Sequence, residues 1–322
     1  MSTGTGHEQE RGREAEVPSE IPRAGWRDIL VRLKDAVRED RITLIAAGVA
    51  FYAMLALFPA MIVVVSTYGL VMDPEEIAAQ VRTLGVLPDD VRSILTGQLD
   101  ALARAPSGRL SLSLAFGVLV ALWSASAGMR ALVTGVNAAY SEAETRGFVR
   151  LRGLALVLTV GGSLVTVLAL AVIVALPVAA RRLPAPAGLL VSVLRWPLLA
   201  VVLIAGLAVL YRVAPRRKDA RWQWLSWGSV TATGLLLVGS MLCSVYASYA
   251  PAQNKTYGAF FGVIVLLFWL FLGAFAVLLG AELNAELELQ TRRDTTVGSP
   301  QPLGQRGAYV ADHVAESPSD PG

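Results

Sequence analysis

Apolar residues in this chain are gathered into six long runs between Ile42 and Glu288, and the charges are pushed into the stretches that join them. Each run holds about 20 residues or more, enough for a helix rising ~1.5 Å per residue to cross ~30 Å of hydrocarbon. The runs cover roughly 42–70, 111–136, 153–180, 188–213, 223–250 and 258–286. They read as helices, because in lipid a lone segment must satisfy its own backbone N–H and C=O groups. The break between the third and fourth rests on Arg181, Arg182, Pro184 and Pro186, with a re-entrant pair as the alternative. The pattern predicts an all-α integral membrane protein, a six-transmembrane-helix bundle with amphipathic surface helices.

Outside the runs the pattern takes two forms. In residues 26–40, Trp26, Ile29, Leu30, Leu33 and Val37 fall at helical spacing, with Arg27, Arg32, Lys34 and Arg38 on other faces. That predicts a helix lying on the membrane surface, as against a solvated helix packed on neighbouring loops. The long 71–110 connection carries two more such sets, Ile77, Val81 and Leu84, then Val91, Ile94, Leu95, Leu99 and Leu102, divided by Pro88. These read as short amphipathic helices at the bundle surface, packing there or serving as a lid. Residues 1–25 and 291–322 are rich in Gly, Ser, Pro and charge, and predict disordered tails on either side of a membrane domain over 26–290.

Composition agrees: 54% of the 322 residues are hydrophobic, 16% are charged, and mean hydropathy is +0.55. The net charge of +3 sits beside the apolar runs, where topology and anionic headgroups account for it without nucleic acid. Arg and Lys are sixteen on one set of connections and seven on the other, which predicts that both termini are cytoplasmic. The polar start lacks an apolar signal region, so the first run acts as its own insertion signal. Cys243, the single cysteine, has no intrachain partner and reads as a small core residue.

Enzymatic chemistry finds little material. The two histidines, His7 and His313, fall in the tails, and no HExxH, Cys/His pair or phosphate loop occurs. The expectation is no enzyme and no cofactor. Polar residues inside the runs are the candidates instead. Pro59 removes a backbone bond and predicts a kink, which shapes packing or opens a polar pocket. Tyr52 precedes it. Ser124 lies among small residues suited to helix contact, with Arg130 and Asn137 further along. Arg130 is either a snorkelling boundary charge or the buried partner of an acid. Lys255 and Tyr257 open the sixth run, where Lys255 is an anion-binding or simply solvated lysine. Glu282 and Glu286 share a helical face at its end. They form either a proton or cation site or a salt bridge to Arg41, Arg130 or Arg150. Gly258, Gly262, Gly273 and Gly280 lie near one face and suit a second helix, including one from a second subunit.

Several of these pieces resemble the YihY/BrkB family of bacterial inner-membrane proteins, long mislabelled ribonuclease BN. They are Asp40, the AAGVAFY…LFP run with Ala46, Phe51, Tyr52, Phe58 and Pro59, and Tyr68-Gly69. Trp123-Ser124, Asn137, Tyr140, Pro215 and Tyr246 follow, then Thr256–Gly258 and the GAELNAE of Gly280–Glu286. The resemblance spans about 26–290 and implies six transmembrane helices in the plasma membrane. It implies no settled activity and carries over no catalytic residues.

The functional expectation is a transporter or exporter of a lipid-like or anionic solute, with membrane lipids as its partners. It requires the polar set from Tyr52 to Glu282 to converge on one cavity. A non-catalytic envelope-organising protein that oligomerises is the alternative, and a membrane ribonuclease is the remote one.

Overall fold

The computed structural model describes residues 11–71, 107–176, 184–248 and 255–316. Its helices are α1 (Arg23–Glu39), α2 (Ile42–Val71), α3 (Ser107–Ala139) and α4 (Phe148–Leu170), the last continued by a π turn over Ala171–Ala175. They are followed by α5 (Ala185–Val213), α6 (Trp222–Ser248), α7 (Lys255–Gln290) and the four-residue α8 (Tyr309–Asp312). Five of them, α3 to α7, are long and apolar enough to cross a membrane. The sixth, α2, runs for 30 residues and is entered from α1 through a bend of 59°. Most of the 71–110 connection, with its two expected helices, lies outside the described residues.

Local chemistry sets the helix ends. α1 stops at Asp40, and Arg41 takes a φ of 53°, a left-handed conformation that no residue with a Cβ repeats through a helix. α5 starts behind Pro184 with Pro186 in its first turn, where a missing N–H costs no helical bond. α2 runs through Pro59 as helical backbone.

The chain divides into two compact units, residues 51–128 and residues 1–50 with 129–322. In the first, Tyr52 meets Phe51 edge-on at 5.9 Å, and the buried Ser126 donates to the Trp123 carbonyl at 2.8 Å. In the larger unit, burial is inverted relative to a soluble protein. Val157, Leu164, Leu189, Met241 and Ile264 are each more than half exposed along α4 to α7, as suits helices whose solvent is lipid. The tight core sits at the charged end, where Ile42, Val133, Val136, Tyr140, Tyr211, Leu225 and Leu278 are buried together. There α6 and α7 cross backbone to backbone. A Cβ on Gly280 would meet the Gly228 carbonyl oxygen at 2.6 Å and overlap the Tyr211 hydroxyl.

At that crossing the helix brought close to the glycines of α7 is α6 of the same chain. Gly280 is used within the chain, and Gly273 lies over Leu236 of α6. Gly262 faces open space, and the surroundings of Gly258 are not among those described.

The expected surface helix is also divided. Ile29 of α1 is buried with Trp224, Leu283 and Leu287, while Trp26 and Leu33 pack against that cluster. Val37 joins the main core, and Leu30 turns outward at 57% exposure.

The expectation of disordered tails is overturned for residues 11–25 and 291–316. Ala15 and Ile21 are buried, and Arg292 N–H and Thr291 Oγ1 donate to the carbonyls of Arg13 and Ala15 at 2.8 and 2.7 Å. The later segment lies along the connection between α5 and α6, with Arg221 N–H to Thr295 and Val297 N–H to Asp219 both at 2.9 Å. Arg306, 5% exposed, donates to the carbonyls of Arg292, Arg293, Gln301 and Ala311. Order here comes from side chains satisfying backbone groups, a device that leaves no apolar period to read.

Candidate functional site

The last two turns of α7 gather the site. Glu282, Asn284, Glu286, Glu288 and Gln290 are all buried, at every second position of a helix. Two steps along a helix turn ~200°, so these side chains leave on opposing faces. Glu282, Glu286 and Gln290 face α1 and its junction with α2. Asn284 and Glu288 face α6 and the connection before it. A membrane helix carries so many polar groups only where other protein surrounds it and satisfies them.

On the second face both Asn284 and Glu288 find partners. Asn284 accepts from Gly228 N–H at 2.8 Å and donates to the Leu225 carbonyl at 3.4 Å. Arg217 grips Glu288 with two nitrogens at 3.0 and 2.7 Å, and neither side chain is more than 2% exposed. Thr295 Oγ1 donates to the same carboxylate at 2.5 Å, and the guanidinium lies 4.9 Å from the centre of the Tyr140 ring. Burial by itself would make Arg217 easier to deprotonate. The Glu288 carboxylate outweighs it and holds the guanidinium above its ordinary pKa.

On the first face two acids one turn apart meet opposite fates. Glu286 receives Arg32 Nε at 2.7 Å, and Arg32 Nη2 continues to Gln290 Oε1 at 2.8 Å. Glu282, 1% exposed, has no cationic partner among the described residues. Its carboxyl lies within hydrogen-bond reach of the Asp40 carboxyl, at the α1–α2 bend. Its Oε1 is buried without a hydrogen-bond partner. The salt bridge expected for Glu282 with Arg41, Arg130 or Arg150 is therefore not formed, because the bend places an acid where a base was expected.

Other candidates are placed apart from this pair. Asn137 ties connections together, donating to Glu144 at 2.9 Å and accepting from Arg216 N–H at 2.8 Å. Arg130 pairs with no acid among the described residues, and its charge lies near that of Arg152. Tyr52 and Ser124 belong to the other compact unit. The side chains of Pro59, Lys255 and Tyr257 lie outside the described residues. Within the larger unit, then, Asn137 and the glutamates are engaged by different neighbours, and the expected convergence of the polar set is not seen among these residues. His313, expected in a disordered tail, stacks on Tyr309 at 4.0 Å. Among the described residues no three His, Cys, Asp or Glu side chains group as metal ligands.

Sequence reasoning missed Asp40 as the partner of Glu282, and Arg217–Glu288 altogether. The available signal was a charge in an apolar helix end that needs a partner. Nothing along the chain said which partner the fold would supply.

Comparison with known proteins fits this architecture. The chain is 31% identical over 253 residues to YfkH of Bacillus subtilis, a protein named ribonuclease-like, covering 75% of this chain and 88% of that one. It is 27% identical over 269 residues to the UPF0761 membrane protein Mpe_A1422 of Methylibium petroleiphilum, covering 81% of this chain and 62% of the relative. A UPF0761 membrane protein of Verminephrobacter eiseniae matches at 25% over 277 residues, 83% of this chain and 64% of the relative. No solved structure matches. The family model described as Virulence factor BrkB matches residues 33–302, from the middle of α1 through the whole of α7 with its buried acids, and the chain belongs to that family.

Proposed function

We propose that this protein moves a lipid-like or anionic solute across the bacterial plasma membrane, with both termini in the cytoplasm. The Asp40–Glu282 carboxyl pair is the point where a proton or cation is taken up and released. The polar set does not gather as that reading first required, and what supports it is Glu282 alone: a carboxyl buried in a membrane helix, facing another acid, with one oxygen unsatisfied. Two ionised carboxylates repel at such a distance, and a proton or a cation between them removes the repulsion. A group that existed only to tie helices would be better served by a base, as Glu286 is by Arg32. The pair sits at a bend between two helices, so filling or emptying it changes the force holding that bend closed. The function proposed is not hydrolytic. The ribonuclease-like name belongs to the Bacillus subtilis relative, and the buried acids of α7 are bound to arginines or, for Glu282, face Asp40.

Native mass spectrometry of the detergent-purified protein tests this, with wild type beside Glu282→Gln and Asp40→Asn. A retained lipid or solute adduct whose binding depends on pH in the wild type, and loses that dependence in both variants, is the expected result. The absence of any adduct beyond annular lipid, with folded protein in all three samples, overturns it in favour of an envelope-organising role.

A further inference from the structure

We propose that the outward face of α1 is a docking site for anionic phospholipid headgroups of the adjoining leaflet. The inner face is occupied by protein, through Ile29 in its buried cluster and Arg32 on Glu286 and Gln290. The outer face is mixed. Arg23, Arg27 and Lys34 surround Leu30 and Val31, which are 57% and 42% exposed, around a shallow depression of about 520 Å³. Asp35 is the acid at its edge, so cations outnumber acids there.

Depth is fixed by neighbouring tryptophans. The Trp26 ring meets Trp227 edge-on at 5.2 Å. Trp227 and Trp222, in the first turns of α6, are 40% and 53% exposed. Indole rings at a helix end settle at the boundary between headgroups and acyl chains. The helix they touch lies at the same level. There the exposed Leu30 and Val31 enter the upper acyl region, while the arginines and lysine extend to the phosphates. In water the same two aliphatic side chains would be an unpaid exposure on a helix that already buries its other apolar residues. A second copy docked by two-fold symmetry would set these cations against their own counterparts. A sheet of phosphodiesters neutralises them.

Each surface Lys or Arg strengthens attraction to an anionic leaflet roughly fivefold, so three act together at about 100-fold. The test is native mass spectrometry of the full chain titrated with phosphatidylglycerol or phosphatidylcholine. Wild type is compared with Arg23→Ala/Arg27→Ala/Lys34→Ala, with the charge-keeping Arg23→Lys/Arg27→Lys, and with Leu30→Gln/Val31→Thr. We expect wild type to prefer phosphatidylglycerol, the triple variant to lose that preference by about 100-fold, and the lysine variant to keep it. The polar double variant, altered only at exposed positions, weakens retention of the whole lipid. Inorganic phosphate does not compete, because it lacks the chain that Leu30 and Val31 hold. Equal binding of the two lipids by wild type overturns the proposal. So does an unchanged triple variant, full competition by phosphate, or a dimer that dissolves when the three cations are removed.

Discussion

Replacing Glu288 by Leu should cost this protein about 3–5 kcal/mol, and replacing Arg217 by Met a similar amount, because each leaves a buried charge without its counterpart. The structure makes the estimate specific. Two hydrogen bonds at 3.0 and 2.7 Å join side chains that are 2% and 0% exposed, so water cannot step in for a missing partner. Arg217→Met/Glu288→Leu should behave differently. It removes both charges and puts apolar volume between Tyr140 and the end of α7. What it strands is the Thr295 hydroxyl, whose acceptor is lost, at about 1 kcal/mol. The double variant should therefore lie within about 2 kcal/mol of wild type. The difference from the sum of the single changes, about 4 kcal/mol or more, is the coupling of the pair. Unfolding by SDS titration in mixed micelles, followed by tryptophan fluorescence, measures all four corners of the cycle. Single variants costing less than about 1 kcal/mol, or a double variant equal to their sum, would refute the view that this pair closes the charged end of the bundle.

Other outcomes follow from the same contacts. Gly280→Ala should destabilise by about 1–3 kcal/mol, since its Cβ has no room at the α6–α7 crossing. Gly262→Ala, in open space, should stay within about 0.5 kcal/mol in the same titration. Tyr140→Phe keeps the ring beneath Arg217 and should cost less than about 1 kcal/mol, whereas Tyr140→Ala should cost about 3–5 kcal/mol by emptying a fully buried site. Arg32→Ala strands the Glu286 carboxylate, and deuterium uptake should rise across Arg23–Glu39; unchanged protection would show that apolar contacts hold α1 unaided. Acid should release the C-terminal segment. Burial pushes Asp294 and Asp312 up, but backbone N–H donors, from Gln301 and Thr296 on one and from Arg306 and Gly304 on the other, outweigh it and hold both below the usual carboxylate range. The unfolded segment therefore binds protons more readily than the docked one. Its docking is full strength above the unfolded pKa of about 3.9 and weakens as pH falls through the lower folded values. Limited acid proteolysis that cuts residues 291–316 no faster at pH 3 than at pH 6 would contradict this.

The spans were legible because lipid imposes one solution on a long apolar run, and the expected 223–250 and 258–286 lie within two or a few residues of α6 and α7. The 26–40 helix was legible as a helix, but not in its surroundings. Its apolar spacing matches a membrane surface and a protein groove equally well, and the structure packs one side on protein while leaving Leu30 and Val31 exposed. The C-terminal segment was misread because Ser, Pro, Gly and Asp mean disorder only when their side chains have nothing to bind. Here Asp294, Arg306 and Asp312 spend themselves on turns and carbonyls. That is a pattern of specific hydrogen bonds, invisible to composition.

Glu282 and Glu286 show where a sequence stops informing. They have the same side chain, one helical turn apart on the same face of α7, and any rule based on type and spacing treats them alike. What separates them is the register of α1 against α7. Arg32 and Asp40 are eight residues apart on the incoming chain, a little over two turns. With Arg32 seated on Glu286 and Gln290, the end of α1 delivers Asp40 to Glu282. The turn at Arg41 then carries the chain away into α2, so no later residue of α1 supplies a base. The arginine that pins the helix and the aspartate that confronts the glutamate are thus one arrangement. Loosening Arg32 should free Asp40 from Glu282 as well. Arg32→Ala is therefore expected to remove the pH dependence of ligand retention along with the protection of α1. A variant that frayed α1 yet kept that pH dependence would separate the two and place the proton or cation site elsewhere.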